Sequence, residues 1–85
     1  MQERYYFIVN PISGSGRGKR EFEQARALLE AAGACYAFVS TQYHAHAKEL
    51  ARAALAAGER CIVAVGGDGT VNEVASVLAG TEAAM

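Results

Sequence analysis

The sequence predicts an α/β fold in three layers, with helices on both faces of a parallel sheet. Three short apolar runs rich in β-branched and aromatic residues, near residues 5–9, 35–39 and 61–65, are typical of buried parallel strands. Between them lie two stretches whose apolar residues repeat with the period of a helix. The alternation β-α-β-α-β therefore predicts right-handed crossovers and a doubly wound unit.

Each of the two intervening helices is predicted from one apolar stripe and a glycine that follows it. The first stripe comprises Phe22, Ala25, Leu28, Leu29 and Ala32, and the second comprises Ala47, Leu50, Ala51, Ala54 and Leu55. Gly33 and Gly58 come just after these stripes, where a left-handed C-terminal cap favours glycine. A third helix is predicted to begin at Thr70, because Thr70 and Glu73 match a capping box, and to end at Gly80.

Length, charge and cysteine content narrow the class of protein. A chain of 85 residues allows one small domain, and a net charge of −1 argues against nucleic-acid binding. Cys35 and Cys61 each open an apolar run, so we expect buried free thiols in a reducing cytoplasm. No apolar stretch reaches the roughly 20 residues needed to cross a bilayer. Any membrane contact is therefore expected to be peripheral.

The loops that follow the three strands should open on one edge of the sheet. They cover residues 10–19, 40–42 and 66–70, and the first and third are rich in glycine. In doubly wound sheets, ligands bind at the carboxyl ends of the strands. If both glycine-rich loops touch one ligand, the first and third strands are neighbours, which predicts the strand order 2-1-3.

The first of these loops, NPISGSGRGKR over residues 10–20, fits neither common phosphate-binding template. The P-loop pattern fails because Ser13 stands where a glycine is required and Arg20 where a hydroxyl is required. No window fits the dinucleotide fingerprint. A glycine-rich turn still leaves backbone N–H groups that can face an anion, and a flexible surface loop is the alternative. We expect residues 10–14 to form the functional turn, and residues 15–20 to lead into the first helix.

The third loop, GGDGTVNEV over residues 66–74, carries the most specific signal. Two glycines after a buried strand allow a sharp turn and a close approach of the backbone to a ligand, and Gly69 would permit a positive φ. The helix that follows points its positive end toward the site. A carboxylate at Asp68 suits phosphate binding if magnesium or water lies between the two anions. The alternative is a tight turn in which Asp68 caps the helix.

Three separated segments, NPISG, TQYHAHAKELA and GGDGTVNEV, resemble the N-terminal part of the diacylglycerol kinase catalytic domain. That family includes bacterial diacylglycerol kinases and sphingosine and ceramide kinases, and the resemblance covers residues 5–80. It implies an ATP-dependent lipid kinase that uses Mg²⁺ and phosphorylates a diacylglycerol-like or sphingoid hydroxyl. An NAD kinase-like enzyme, whose family shares the GGDGT loop, and a non-catalytic nucleotide-binding or interaction module remain alternatives.

The resemblance also implies which residues bind the nucleotide. They are Asn10, Pro11, Ile12, Ser13, Gly14, Thr41, Gly66, Gly67, Asp68, Gly69, Thr70, Val71 and Asn72. Asp68 is expected to have a supporting role and to reach Mg²⁺ through water, and no catalytic residue or direct metal ligand is expected in the chain. Glu73 either touches the ligand or serves mainly as a helix cap.

The chain departs from the family pattern in two places. The family often has Gly-His-Ala where this chain has Ala45-His46-Ala47, so we expect any backbone feature that needs glycine there to be lost. We expect His46 to be a helix residue, and the pair His44 and His46 not to bind metal. Family members also continue into a fourth strand and a β-rich second domain with the lipid cleft, the main magnesium site and the general base.

These departures shape what we expect of the chain as a whole. We expect residues 1–85 to be one domain, the N-terminal nucleotide-binding part of a longer two-domain kinase, and to be inactive alone. The expected partners are ATP, a lipid substrate and further copies of the chain, with no nucleic acid. The expected location is the cytoplasm, with peripheral contact at the inner membrane face.

Overall fold

A computed structural model of the chain describes residues 4–43 and 45–79, and these form alternating strands and helices. In chain order they are β1 (Arg4–Val9), α1 (Ser13–Ala31), β2 (Cys35–Ser40), α2 (His46–Ala56), β3 (Cys61–Val65) and α3 (Asp68–Leu78). The three predicted strands are therefore confirmed. The predicted end of α3 at Gly80 lies outside the described residues.

The three strands form one parallel sheet in the order β2-β1-β3, which confirms the predicted order. β1 pairs with β2 from Arg4 opposite Cys35 to Val9 opposite Ser40, and with β3 from Tyr5 opposite Cys61 to Val9 opposite Val65. Because β1 is central, it carries the most continuous buried run, Phe7–Val9. A strand buried on both faces needs apolar side chains at successive positions.

The two faces of the sheet carry separate clusters of buried side chains, because successive side chains of a strand point to opposite faces. On one face, α2 and α3 pack over the sheet, and the buried residues are Ile8, Ala47, Ala51, Ala54, Ile62, Val74 and Leu78. On the other face, α1 packs through Phe22 against Phe7 and Val9. The fold thus has the predicted three layers.

Helices α1 and α2 both end in a Schellman motif around a left-handed glycine. Gly33 has φ 69° and Gly58 has φ 90°. After α1, the Ala34 N–H donates to the Leu29 carbonyl at 3.0 Å and the Gly33 N–H donates to the Glu30 carbonyl at 3.1 Å. The same pair of bonds follows α2. Glycine adopts this conformation without strain, so the predicted caps are confirmed.

Helix α1 begins earlier than the sequence predicts. The prediction left residues 10–14 as a turn, but the helix starts at Ser13. The Asn10 side chain accepts a hydrogen bond from the Ile12 N–H at 3.3 Å, a short turn that directs the chain into the helix. The glycines that follow therefore belong to the helix.

Two predictions of burial were wrong. Leu28 is 73% exposed, because the face of α1 that packs on the sheet carries Phe22 and Leu29, and no second helix lies beside it within the described part of the chain. The cysteines are free as predicted, but Cys35 is exposed and Cys61 is half-buried. Cys35 opens β2, which is an edge strand of the sheet that the described residues form. Within residues 4–43 and 45–79, no helix is both long and apolar enough to cross a bilayer.

Candidate functional site

The ends of the three strands meet at the carboxyl edge of the sheet. The Asn10 N–H donates to the Val65 carbonyl at 2.8 Å, and the Thr41 N–H donates to the Val9 carbonyl at 2.8 Å. The parallel ladder thus continues one residue beyond β1 and β2. As a result, Asn10 and Thr41 leave the sheet at the same level, beside the turn that follows β3.

The Asn10 side chain joins the first turn to helix α3. Its Oδ1 accepts from the Ile12 N–H, and its Nδ2 donates to the Thr70 Oγ1 at 3.4 Å. The second distance is at the long end for a hydrogen bond. Thr70 is itself buried, with 6% of its surface exposed. One amide side chain therefore fixes its own turn and touches the first turn of α3.

Gly66 lies where there is no room for a side chain. A Cβ atom built there would be 2.8 Å from the Thr70 Oγ1, 3.0 Å from the Thr70 Cβ and 3.1 Å from the Asn10 Cβ. Carbon atoms do not approach other heavy atoms this closely without displacing them. Glycine is therefore required at position 66 by the close packing of Thr70 and Asn10, and the approach of this backbone to a ligand stays a prediction.

Helix α3 starts at Asp68, two residues before the predicted start. Its N-cap is Gly67, in an extended conformation, and none of the side chains that the structure describes caps the helix. The first helical bond runs from the Val71 N–H to the Gly67 carbonyl at 3.2 Å. The N–H groups of Asp68, Gly69 and Thr70 precede it and have no acceptor within the helix. The positive end of α3 is therefore open at this edge.

This earlier start overturns two predictions about the third loop. The predicted capping box does not form, because Thr70 is already helical. Its hydroxyl accepts a hydrogen bond from the Asn10 side chain instead of binding the helix end. Gly69 does not have a positive φ, because it lies inside the first turn of α3. In contrast to Gly66, a Cβ built at Gly69 has no atom of the described residues within 4 Å.

Two adjoining pockets open where these turns meet. The smaller, of about 130 Å³, is lined by Asn10, Thr41, Tyr43, Ala45, Ala47, Gly69, Thr70 and Glu73. The larger, of about 320 Å³, is lined by Asn10, Ile12, Thr41, Gln42 and Tyr43. Three lining residues are common to both pockets, so they form one cleft along the edge of the sheet.

The cleft brings together some of the residues predicted to bind nucleotide and leaves others outside its walls. Asn10, Ile12, Thr41, Gly69 and Thr70 line it. The predicted residues Pro11, Gly66, Gly67, Asp68, Val71 and Asn72 lie next to these in the chain but do not line the two pockets. Ser13 and Gly14 are the first two residues of α1. Gly66 and Gly67 shape the site through their backbone, and Asp68 is exposed at the first position of α3.

The prediction missed Tyr43, which lines both pockets. Its ring stacks on His46, with centroids 4.2 Å apart and planes at 19°. Its hydroxyl donates to the Glu49 carboxylate. This hydrogen bond is the largest of the effects that raise the pKa of Tyr43 above its ordinary value. The signal available in the sequence was position alone, because Tyr43 follows Thr41 by two residues at the carboxyl edge.

The residue just before helix α2, Ala45, has a strained backbone conformation. His46 is the first residue of α2, as predicted, and its Nδ1 accepts from the Gln42 N–H at 2.9 Å. Ala45 precedes it with φ 67° and ψ 6°, so the left-handed backbone is kept although glycine is absent. The expectation that this feature is lost was wrong, because the hydrogen bond and ring stack around His46 hold the turn in place. His44 lies outside the described residues.

The carboxylates near the cleft could hold a metal ion only with help from other ligands. Asp68 opens α3 and Glu73 lines the smaller pocket. Among the side chains that the structure describes, no three from His, Cys, Asp and Glu converge on one point. Magnesium is often bound by one or two carboxylates together with water and substrate phosphates. The donors present fit such a shared site.

Comparisons with known proteins identify the family of the chain. Residues 4–85 match the family model of the diacylglycerol kinase catalytic domain. The chain is 37% identical over 79 residues to proteins named diacylglycerol kinase from Staphylococcus aureus strains bovine RF122 / ET3-1, MRSA252 and JH9. These matches cover 93% of the chain, which spans 25% of the length of the relatives. Through a match of nearly its whole length, the chain belongs to the diacylglycerol kinase catalytic domain family.

Proposed function

We propose that this chain is the nucleotide-binding part of an ATP-dependent lipid kinase that phosphorylates the hydroxyl of a diacylglycerol-like or sphingoid lipid. One observation carries the proposal. The turn after β1 and the turn after β3 meet through Asn10 and Thr70, beside the bare backbone of Gly66 and the open end of α3. Backbone N–H groups at a helix N-terminus suit phosphate groups.

The residues of the chain would act mainly by positioning the phosphates. The free N–H groups of Asp68, Gly69 and Thr70 face a developing negative charge at the positive end of α3. Asn10 and Thr41 offer polar side chains along the floor of the cleft. Phosphoryl transfer depends chiefly on orientation and on charge neutralisation. A helix end and a glycine turn provide both without a nucleophile.

Mg²⁺ would be shared between the nucleotide and Asp68, with water between ion and carboxylate. When bound, the ion neutralises charge on the phosphates. Asp68 is exposed at the first position of α3 and so can reach a hydrated ion beside the helix end. Without the ion, the same carboxylate would repel the phosphates.

The acceptor lipid and the general base are assigned to the remainder of the parent protein. The matched region covers 25% of the relatives' length, which leaves ample chain for a second domain. We also propose that the parent acts in the cytoplasm, touches the inner membrane face peripherally and forms a homo-oligomer. Peripheral contact with the membrane would bring the nucleotide site to a lipid acceptor.

A magnesium-dependent binding measurement tests the nucleotide site directly. Asp68→Asn should weaken binding of MgATP about tenfold, whereas binding of ATP with a chelator present should be unchanged or stronger, since a repulsive charge is removed. Glu23→Gln removes an exposed carboxylate from α1 and should change neither affinity. Failure of the unaltered chain to bind ATP would overturn the proposal.

A transfer assay tests the acceptor class. The full-length parent is given γ-labelled ATP with diacylglycerol, sphingosine or NAD in turn, and label is expected in one of the lipids. Label in NAD alone would identify an NAD kinase-like activity instead. Label in lipid with the isolated chain would contradict the assignment of the general base to another part of the parent.

A further inference from the structure

We propose that the turn after β2 is sensitive to acid: the neutral imidazole of His46 holds it in place, and a second ring proton releases it. His46 is a positioning residue in this proposal, because it holds residues that line the cleft and does not itself line either pocket. The effect on ligand affinity rests on the proposed nucleotide-binding function, whereas the effect on the turn does not.

One hydrogen bond fixes the protonation state of the ring. The His46 Nδ1 accepts from the Gln42 N–H at 2.9 Å, and a ring nitrogen accepts only when it carries no hydrogen. The proton of the neutral ring therefore lies on Nε2. In a charged imidazole both ring nitrogens carry hydrogen, so Nδ1 and the Gln42 nitrogen would turn two hydrogens toward each other. The charged ring is thus incompatible with this bond.

The conformation of the turn depends on this bond because one of its residues is strained. His46 also contacts the turn through its N–H, which donates to the Tyr43 carbonyl at 3.1 Å, and through the ring stack with Tyr43. Ala45 has φ 67°, a left-handed conformation that is unfavourable for a residue with a Cβ. This strain is of the same order as the net energy of one hydrogen bond. Loss of the Gln42 bond therefore allows Ala45 to relax.

The turn forms one wall of the cleft. Gln42 and Tyr43 line the larger pocket, and Tyr43 and Ala45 line the smaller one. These three residues are exposed, so close packing does not hold them when the hydrogen bond is lost. Thr41 differs, because its N–H donates to the Val9 carbonyl at 2.8 Å as part of the sheet. The released segment therefore begins after Thr41.

The charged groups around the ring come from α2 and α3. On α2, the Glu49 carboxylate accepts from the Tyr43 hydroxyl, and Lys48 is exposed. On α3, Glu73 lines the smaller pocket together with Tyr43. Among the described residues, those of the turn after β1 that line the cleft carry no charge. The two carboxylates favour a charged imidazole at His46, and the positive end of α2 opposes it.

Hydrogen exchange of single backbone amides tests the turn without any ligand. It is followed by NMR between pH 8 and pH 5, the range in which histidine ordinarily changes charge. The protection of the Gln42 amide, corrected for the intrinsic exchange rate at each pH, should fall about tenfold as the pH is lowered. The Thr41 amide is the internal control, because the sheet holds it, and its protection should not change.

Two substitutions separate the hydrogen-bond acceptor from the rest of the ring. His46→Asn places an uncharged amide oxygen the same number of bonds from Cβ as Nδ1, so the Gln42 amide should be protected equally at every pH. His46→Ala removes the acceptor, and this amide should be unprotected throughout. Loss of protection in His46→Asn at pH 8 would overturn the proposal, because the ring stack and not Nδ1 would then hold the turn.

ATP binding tests the consequence for the cleft. Between pH 8 and pH 5, the affinity of the unaltered chain for MgATP should fall about fivefold more than that of His46→Asn, within the range for one hydrogen bond. The comparison of the two chains removes the contribution of ATP itself, since phosphate groups also take up a proton in this range. NMR titration gives the dissociation constants.

The outcomes separate this proposal from the proposed function. If the Gln42 amide keeps its protection down to pH 5, or if the Thr41 amide loses protection with it, the acid-sensitive turn is wrong whatever the chain binds. If the turn is released but both chains lose ATP affinity equally, its link to the nucleotide is wrong. If the unaltered chain binds no ATP, the proposed function fails, and amide exchange alone decides whether the turn responds to acid.

Discussion

The turn after β3 and the turn after β2 border the same cleft, yet they are held in contrasting ways. In the β3 turn, Thr70 is buried and a side chain at Gly66 would collide with its neighbours. In the β2 turn, Gln42, Tyr43 and Ala45 are all exposed. The β3 turn is thus shaped by close backbone packing, and the β2 turn by hydrogen bonds and a ring stack among side chains.

Under the proposed function, this contrast gives the two turns different tasks in binding the nucleotide. A tightly packed turn holds backbone N–H groups in a fixed place, as the binding of a charged group requires. Under the same proposal, an open turn leaves room for side chains to contact the rest of the nucleotide. Adding a side-chain atom to the β3 turn should therefore destabilise the fold. The stability of the β2 turn should depend on its backbone strain and on single hydrogen bonds.

The largest effect is expected when a methyl group is added to the β3 turn. Gly66→Ala would place a Cβ 2.8 Å from the Thr70 Oγ1, and overpacking of this kind costs about 2–3 kcal/mol. The loss should be visible as a lower midpoint in urea denaturation, and ATP binding should fall with it because the helix end is displaced.

Gly69→Ala is the matched control in the same loop. A Cβ there meets no atom within 4 Å in the part of the chain that the structure describes, and alanine favours a helix over glycine by up to about 1 kcal/mol. The variant should therefore be as stable as the unaltered chain or more stable. Equal destabilisation by the two substitutions would show that close packing at Gly66 is not what shapes the turn.

The next effect concerns backbone strain in the β2 turn. Ala45 has φ 67°, a left-handed conformation that costs a residue with a Cβ about 1–2 kcal/mol. Ala45→Gly removes that cost but makes the unfolded chain more flexible, so a net gain of about 0.5–1 kcal/mol is expected. Ala53→Gly, at an exposed position inside α2, should lose about 1 kcal/mol. Opposite signs for the two variants in thermal unfolding would confirm the strain, and equal signs would contradict it.

The same contrast explains what could be predicted from the sequence. The strands, their order and the glycines that end α1 and α2 depend on apolar patterns and on local backbone rules, so the sequence predicts them. The predicted start of α3 was wrong because the Thr70 hydroxyl could form a hydrogen bond either with the helix end or with Asn10. Asn10 lies 60 positions earlier in the chain. Local pattern favours the first bond, and tertiary packing selects the second.

Tyr43 was missed for a related reason. Its place in the cleft depends on a stack with His46 and a hydrogen bond to Glu49, and neither contact follows a repeating sequence pattern. The left-handed Ala45 could not be predicted either, because alanine rarely adopts that conformation. The sequence therefore does not predict the conformation of the β2 turn or the hydrogen bond between Asn10 and Thr70 that links the β1 and β3 turns.

That side-chain link is expected to contribute a smaller energy than either backbone effect. Asn10→Ala and Thr70→Val each remove one partner of the hydrogen bond between Nδ2 and Oγ1. Because the 3.4 Å separation is long, a double-mutant cycle should give a coupling of about 0.5 kcal/mol. Urea denaturation of the two single variants and the double variant measures it. Purely additive losses would mean that the two turns are joined by packing around Gly66 alone.

The smallest effect tests the hydrogen bond that holds the open turn. The pKa of Tyr43 is raised above its ordinary value of 10.0, first because the hydroxyl donates to the Glu49 carboxylate. The folded chain therefore keeps this proton to higher pH than the unfolded chain does. The resulting stability is present below the unfolded pKa and is lost as the pH rises from there through the folded pKa. Glu49→Gln should lower the Tyr43 pKa toward its ordinary value and narrow that alkaline window, as followed by NMR of the tyrosine ring carbons.

Glu59→Gln, which removes a carboxylate paired with Arg4, should leave the Tyr43 titration unchanged. An unchanged titration in Glu49→Gln as well would mean that the stack on His46 orients the ring without help from Glu49.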